Sequence, residues 1–231
     1  MGMRARLVLV HSPLVGRETW EPVARDLAAD GYAVAVPDLA GTLAAGPPYH
    51  LRQARAVADS AAGQPAILIG YSRAGPLLAA AGSMLGPDVR GYLFVDARLP
   101  APGRSWMQTT PPDLAARLRG MADAQGWLPP WSSWWGEEKL AALVPDPALR
   151  RQFAAGCPRL PLAMVEEAYP RSAGWPAAPG GYLQLSEVYR DQAAQARELG
   201  WPVKVQLSHH LALLTQPRQV ASEIRTLIGQ L

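Results

Sequence analysis

Ala66-Ile67-Leu68-Ile69-Gly70-Tyr71-Ser72-Arg73-Ala74-Gly75 is the stretch that decides how this chain folds. An apolar, β-type run stops at a serine flanked by small residues and then turns helical. A serine on a sharp strand-to-helix turn needs small neighbours two residues before and two after, so that the strained backbone can fold on itself. Gly70 and Ala74 occupy those places. The helix expected over Gly75 to Leu85 would aim its N-terminus, the positive end of its dipole, at the serine. The stretch therefore proposes a nucleophile, its geometry and an electrostatic environment together.

The rest of the chain repeats the pattern of a short apolar run followed by a helix. Apolar runs at Arg6 to Val10, Tyr32 to Val36, Ala66 to Ile69, Tyr92 to Val95, Tyr182 to Leu185 and Val203 to Leu207 read as buried parallel strands. Helices are expected over Trp20 to Ala29, with Thr19 as its cap, and over Arg52 to Ala62, Gly75 to Leu85, Arg190 to Leu199 and Pro217 to Ile228. This alternation gives an α/β fold, a doubly wound and mostly parallel sheet of about six strands, with sites beyond the carboxyl ends of the strands. Residues 1–98 and 182–231 would form the core. The 99–181 segment shows helical pieces (Pro112 to Ala124, Glu137 to Leu143, Pro147 to Ala155, Pro161 to Ala168) and no clear strand, and is expected to be a helical cap inserted after the strand that ends at Asp96. Six of the eight tryptophans lie in it, most of them expected to pack the cap onto the body and one or two to face the pocket.

Composition narrows the function. The chain has 231 residues, 49% of them apolar, enough for one substantial core. Its net charge of +3 comes with arginines spread along the chain, a pattern that does not form a nucleic-acid stripe. The N-terminal apolar run is too short for a signal peptide, and no run reaches the length of a membrane span. The single cysteine, Cys157, suits a reducing compartment, so a cytoplasmic protein is expected, with no nucleic-acid or membrane partner. No metal cluster or phosphate loop is visible, and no cofactor is implied.

A serine needs a base to take its proton and a third group to orient that base. Of the four histidines only His209 and His210 follow the last strand, and His210 is preferred because it leads through a short loop into an anchoring helix. Asp96, at the end of a buried strand, is the favoured acid, with Glu187 and Asp191 as alternatives.

In these residues the chain resembles a compact α/β hydrolase, similar in layout to the plant esterase and hydroxynitrile lyase branch and to small bacterial hydrolases. Leu7 to Pro13, Val36 to Gly41, the elbow at Ser72, the inserted segment and the His210 loop carry the likeness along nearly the whole chain. The resemblance implies the fold and the roles of Ser72 and His210. It also implies an oxyanion hole made by two backbone N–H groups, one from Arg73 and one from the third residue of a His-Gly-x turn. Here that turn reads His11-Ser12-Pro13, and proline has no N–H. The second donor must then come from Leu14, from a side chain such as Ser12, or from nowhere. A second departure lies after Leu185, where Val188 stands close to the family's usual aspartate.

Three functions remain in view. The first is a serine hydrolase of the esterase, thioesterase or lactonase type acting on a small to medium hydrophobic substrate. The second is a lyase, cyclase or isomerase using the same serine and histidine for acid–base chemistry. The third is a non-catalytic binding protein.

Overall fold

The computed structural model describes residues 5–172, 175–176 and 178–231. Residues 1–4 of the N-terminal run lie outside it. Six strands, β1 (Arg6–Val10), β2 (Val34–Ala35), β3 (Ala66–Tyr71), β4 (Val89–Val95), β7 (Gly180–Gln184) and β8 (Val203–Val205), form one sheet in the order β2-β1-β3-β4-β7-β8. Every neighbouring pair in it is parallel. The two remaining strands, β5 (Trp127–Leu128) and β6 (Leu160–Pro161), make a separate antiparallel pair. This pair corrects the expectation of a strandless 99–181 segment, as does β7, which enters the sheet two residues earlier than expected, at Gly180.

The apolar runs of β1, β3, β4 and β7 are buried on both faces because helices cover both, whereas the outer runs correct the expectation of burial: β2 shortens to Val34–Ala35 and is half-buried, and Val205 and Leu207 at the β8 edge are exposed. Leu7, Leu9, Ile67, Ile69, Leu93 and Val95 point to one face, where helix α1 (Glu21–Ala29) and helix α10 (Pro217–Ile228) supply Trp20, Val23, Leu27, Ile224 and Leu227. Val8, Val10, Leu68, Tyr92 and Phe94 point to the other, against α2 (Tyr49–Asp59), α3 (Gly75–Leu85) and α8 (Arg190–Glu198). Alternate residues of one continuous apolar run thus feed two cores, as the period of a strand dictates.

Two helix starts differ from expectation. Thr19 does not cap α1: it is buried in a 3-10 turn over Arg17–Thr19, and Trp20 takes the capping position with no side-chain bond. Helix α2 begins at Tyr49, ahead of Arg52, because the Glu167 carboxylate accepts hydrogen bonds from Tyr49 N–H at 2.9 Å and His50 N–H at 2.8 Å. An anion there satisfies first-turn donors and complements the dipole, and a partner so distant in sequence leaves no local signal.

The inserted segment adds α4 (Pro112–Met121), α5 (Glu137–Leu143), α6 (Pro147–Gly156) and α7 (Leu162–Glu166). Its two ends are fastened together: Gly103 N–H donates to the Tyr169 carbonyl at 2.9 Å, Tyr169 N–H donates to the Arg104 carbonyl at 3.0 Å, and Ser105 bridges to Ala168. After β8 the chain runs through the His209-His210 loop into α9 (Ala212–Thr215) and α10. No described helix is long and apolar enough to cross a membrane.

Candidate active site

Strand β3 delivers Ser72 at the carboxyl edge of the sheet, in a left-handed conformation with φ of 57°. A non-glycine residue held there signals a turn that the surroundings enforce. At Gly70 an added Cβ would lie 3.0–3.2 Å from the Leu78 side chain of the returning helix, so the small residue expected there is required by contact. Gly75 is tighter still: a Cβ would stand 1.9 Å from the Arg98 carbonyl, where the chain leaving β4 crosses the start of α3. That crossing is useful, because Arg98 N–H donates to the Ser72 carbonyl at 3.0 Å and ties the end of β4 to the elbow.

Asp96 follows β4, fully buried, with φ of 43°. One carboxylate oxygen accepts from the Leu185 and Ser186 N–H groups, each at 2.9 Å, and the other accepts from Ser186 Oγ at 2.7 Å. The second oxygen also stands 2.7 Å from His210 Nδ1. His210 Nε2 in turn lies 3.0 Å from Ser72 Oγ. The three residues favoured from the sequence meet in one relay. The other candidates stand apart: Glu187 is exposed and paired with Arg190, Asp191 faces a different cavity, and His209 Nε2 bonds Thr215 Oγ1 at 3.0 Å.

The relay is braced by tyrosines. Tyr71 O–H donates to the His210 carbonyl at 2.8 Å, and its ring stacks on the imidazole with centroids 4.8 Å apart. Tyr182 O–H donates to the Ala97 carbonyl at 2.7 Å and accepts from Ala97 N–H at 3.1 Å, holding the turn that carries Asp96. Tyr189 also stacks on His210, with centroids 5.2 Å apart, and its hydroxyl lies 3.2 Å from Ser72 Oγ. Burial holds the Tyr189 phenol above its ordinary value, so it remains protonated at neutral pH. Tyr189 was not legible in the sequence: it lies in Ser186-Glu187-Val188-Tyr189, and a lone tyrosine after a strand carries no signal.

A cavity of about 420 Å³ opens onto Ser72 and His210, walled by Trp106, Trp131, Trp134 and Trp135. Four of the six tryptophans of the inserted segment therefore line the pocket, more than expected. Trp106 and Trp134 do both jobs: they are buried in the core and stacked on each other with centroids 6.4 Å apart. Trp175 packs against Tyr92 on the other side of the sheet.

A model of the α/β hydrolase family matches residues 7–223. The chain belongs to the α/β hydrolase family. Among solved structures, this α/β hydrolase is similar to an extracellular α/β hydrolase from a Paenibacillus species, with 19% identity, coverage of 97% of this chain and 99% of that one, and a TM-score of 0.77. It is also similar to a variant of tomato methylketone synthase I complexed with β-ketoheptanoate (15% identity, 99% of each chain, TM-score 0.74). A third is a pyrethroid hydrolase from Sphingobium faniae JZ-2 (21% identity, 96% of each chain, TM-score 0.71). A comparison with curated proteins finds no match.

For this member of the family the turn after β1 is the point of departure. Pro13 offers no N–H, and the Leu14 N–H considered in its place donates to Ser12 Oγ at 3.2 Å. Ser12 Oγ thereby uses a lone pair and keeps its own proton to give. Ser12, Ser72 and His210 share the walls of a pinhole cavity of about 10 Å³. Arg73 N–H sits in the first turn after the elbow, where such groups lack an intrahelical partner. Among the described residues no group of three or more metal-binding side chains forms.

Proposed function

We propose that this α/β hydrolase is a serine hydrolase of the esterase, thioesterase or lactonase type, acting in the cytoplasm on a small to medium substrate with a hydrophobic body. The observation that carries the reading is the unbroken relay from Asp96 Oδ2 through His210 to Ser72 Oγ, with contacts of 2.7 and 3.0 Å, at the mouth of the tryptophan-walled cavity. His210 Nε2 takes the Ser72 proton as Oγ bonds to the substrate carbonyl, and Asp96 holds the imidazole in the tautomer that can accept it. Arg73 N–H and Ser12 O–H receive the negative oxygen of the tetrahedral intermediate. Collapse expels the alcohol or thiol with the proton held on His210, and water repeats the sequence to free the acid. The inserted segment acts as a cap, its indole rings covering the apolar part of the substrate.

The test is mass spectrometry of the protein and its peptides after incubation with a fluorophosphonate, beside Ser72→Ala and His210→Ala. Adduct on Ser72 that depends on His210 is expected. Folded protein that takes no label would overturn the reading.

A second reading has one observation in its favour. The Tyr189 hydroxyl, 3.2 Å from Ser72 Oγ, puts a third proton-exchanging group at the site, which suits lyase, cyclase or isomerase chemistry on this fold. Under that reading Ser72→Ala keeps part of the turnover of the true substrate and Tyr189→Phe loses most of it; under the first the order is reversed.

A further inference from the structure

The residue after the nucleophile is an arginine whose side chain has no carboxylate to meet. Arg73 is 7% exposed; its guanidinium lies 4.1 Å from the centroid of the Trp106 ring and donates to Thr110 Oγ1 at 3.2 Å. Burial pushes the Arg73 guanidinium down, and Arg98, tied through its backbone to the Ser72 carbonyl, adds a smaller push in the same direction. Even so, Arg73 titrates at about 10 and stays charged at neutral pH. Among the described residues neither guanidinium has a carboxylate within 4.0 Å. Two adjacent cations, one of them buried, without a counter-charge are unfavourable by themselves, since burial penalises an unpaired charge and like charges repel.

Their position says what completes them. Both arginines line the apolar cavity that holds Ser72, and both also line a second, more polar cavity of about 650 Å³ on their far side. They form the partition between the two. Lys139 adds a third cation to the apolar cavity, and no Asp or Glu lines it. The polar cavity carries Arg104 as well, against one acid, Asp191. Packing alone would be served by an aliphatic side chain over Trp106. A planar guanidinium with donors to spare is suited to a carboxylate.

We infer that the substrate carries a carboxylate, separated from the reacting carbonyl by a short spacer, and that Arg73 and Arg98 bind it. The inference rests on reading this cavity as the substrate site of the proposed hydrolase. The spacer is short because Ser72, Arg73 and Arg98 all wall the same cavity of about 420 Å³. Half-esters and half-thioesters of short dicarboxylic acids have this form: an apolar leaving group for the tryptophans and an anion for the arginines.

Binding is read first, without any reaction. Tryptophan fluorescence, to which Trp106 beneath Arg73 contributes, is titrated with 4-phenylbutyrate and with 4-phenylbutanamide in the native protein, Arg98→Gln and Arg73→Met, each checked for folding by circular dichroism. The carboxylate is expected to bind roughly tenfold or more tightly than the amide, as a charge-assisted bond gives. That ratio should fall toward one in Arg98→Gln, a partly exposed position whose replacement does not threaten the fold. Hydrolysis of the p-nitrophenyl half-ester of glutarate is then compared with that of its methyl-capped diester. Carboxylate-selective binding with neither ester hydrolysed keeps this inference and removes the hydrolase reading. Equal binding of carboxylate and amide, or an undiminished ratio in Arg98→Gln, overturns the inference, while hydrolysis of both esters alike would leave the hydrolase reading standing without it.

Discussion

At the scale of single residues, the site depends on who donates to whom. All four contacts to the Asp96 carboxylate come from donors: two backbone N–H groups on one oxygen, Ser186 Oγ and His210 Nδ1 on the other. Asp96→Asn must place its amide oxygen on the backbone pair and so turn its NH₂ toward His210. The imidazole then has to accept at Nδ1 and carry its proton on Nε2, where it can no longer take one from Ser72. Steady-state kinetics should show kcat lower by about a thousandfold or more with the fold retained, whereas Glu187→Gln, on the surface, should stay within about twofold of the native enzyme. Ser12→Ala removes the donor proposed to replace the proline-blocked N–H. Its kcat should drop by about a hundredfold with little change in KM, and an unchanged kcat would mean that Ser12 gives nothing to the oxyanion. That Ser72, Asp96 and His210 would meet was legible because each follows a strand at the carboxyl edge of the sheet. The approach of Tyr189 to Ser72 was not, since it depends on how two segments 117 residues apart meet in space.

At the scale of elements, α3 is held at its start by the chain leaving β4. It begins under the Arg98 carbonyl, and Gly75→Ala would drive a methyl group into backbone that cannot yield without breaking the Arg98 N–H bond to Ser72. Urea denaturation should report a loss of about 2–3 kcal/mol, accompanied by reduced labelling of Ser72 because the elbow moves with the helix. Strands and helices whose signals are local were readable: α3, α5 and α10 span the residues that periodicity and the Gly and Pro positions mark. Ends fixed by distant partners were not. Glu167 starts α2 from another part of the chain, and the 127–128 and 160–161 runs pair only because the inserted segment folds back on itself. The outer strand β8 stops at Val205, short of the expected Leu207, although Gln206 N–H and Ser208 N–H still donate to the Gln184 and Leu185 carbonyls, each at 2.9 Å, as the chain turns toward His210.

At the scale of the whole molecule, stability should depend on pH through His11, a buried histidine beside the turn that carries Ser12. His11 is fully buried behind the turn after β1; its Nε2 accepts from Leu39 N–H at 3.1 Å, which leaves Nδ1 to donate to the Ser12 carbonyl at 2.9 Å. That pattern admits only the neutral ring, and burial lowers its pKa from the ordinary 6.5. Because the unfolded chain binds the proton more readily, stability is full above about pH 6.5 and declines as the pH falls below it. Chemical denaturation between pH 7.5 and 5.5 should show this decline, with a slope approaching 1.4 kcal/mol per pH unit for the group, and His11→Gln, less stable at pH 7.5, should have a flatter profile. An equal slope in both proteins would assign the effect elsewhere. The fastening of residues 103–105 to 168–169 bears on a different matter, the history of the molecule. Because the inserted segment leaves and rejoins the core at one clasp, its interior can lengthen, shorten or exchange residues while the sheet and the relay keep their register. Trp131, Trp134 and Trp135 lie between positions 111 and 160, so a foreign stretch grafted there, with its core-facing residues kept, should change which apolar body the pocket accepts while Trp106 stays in place.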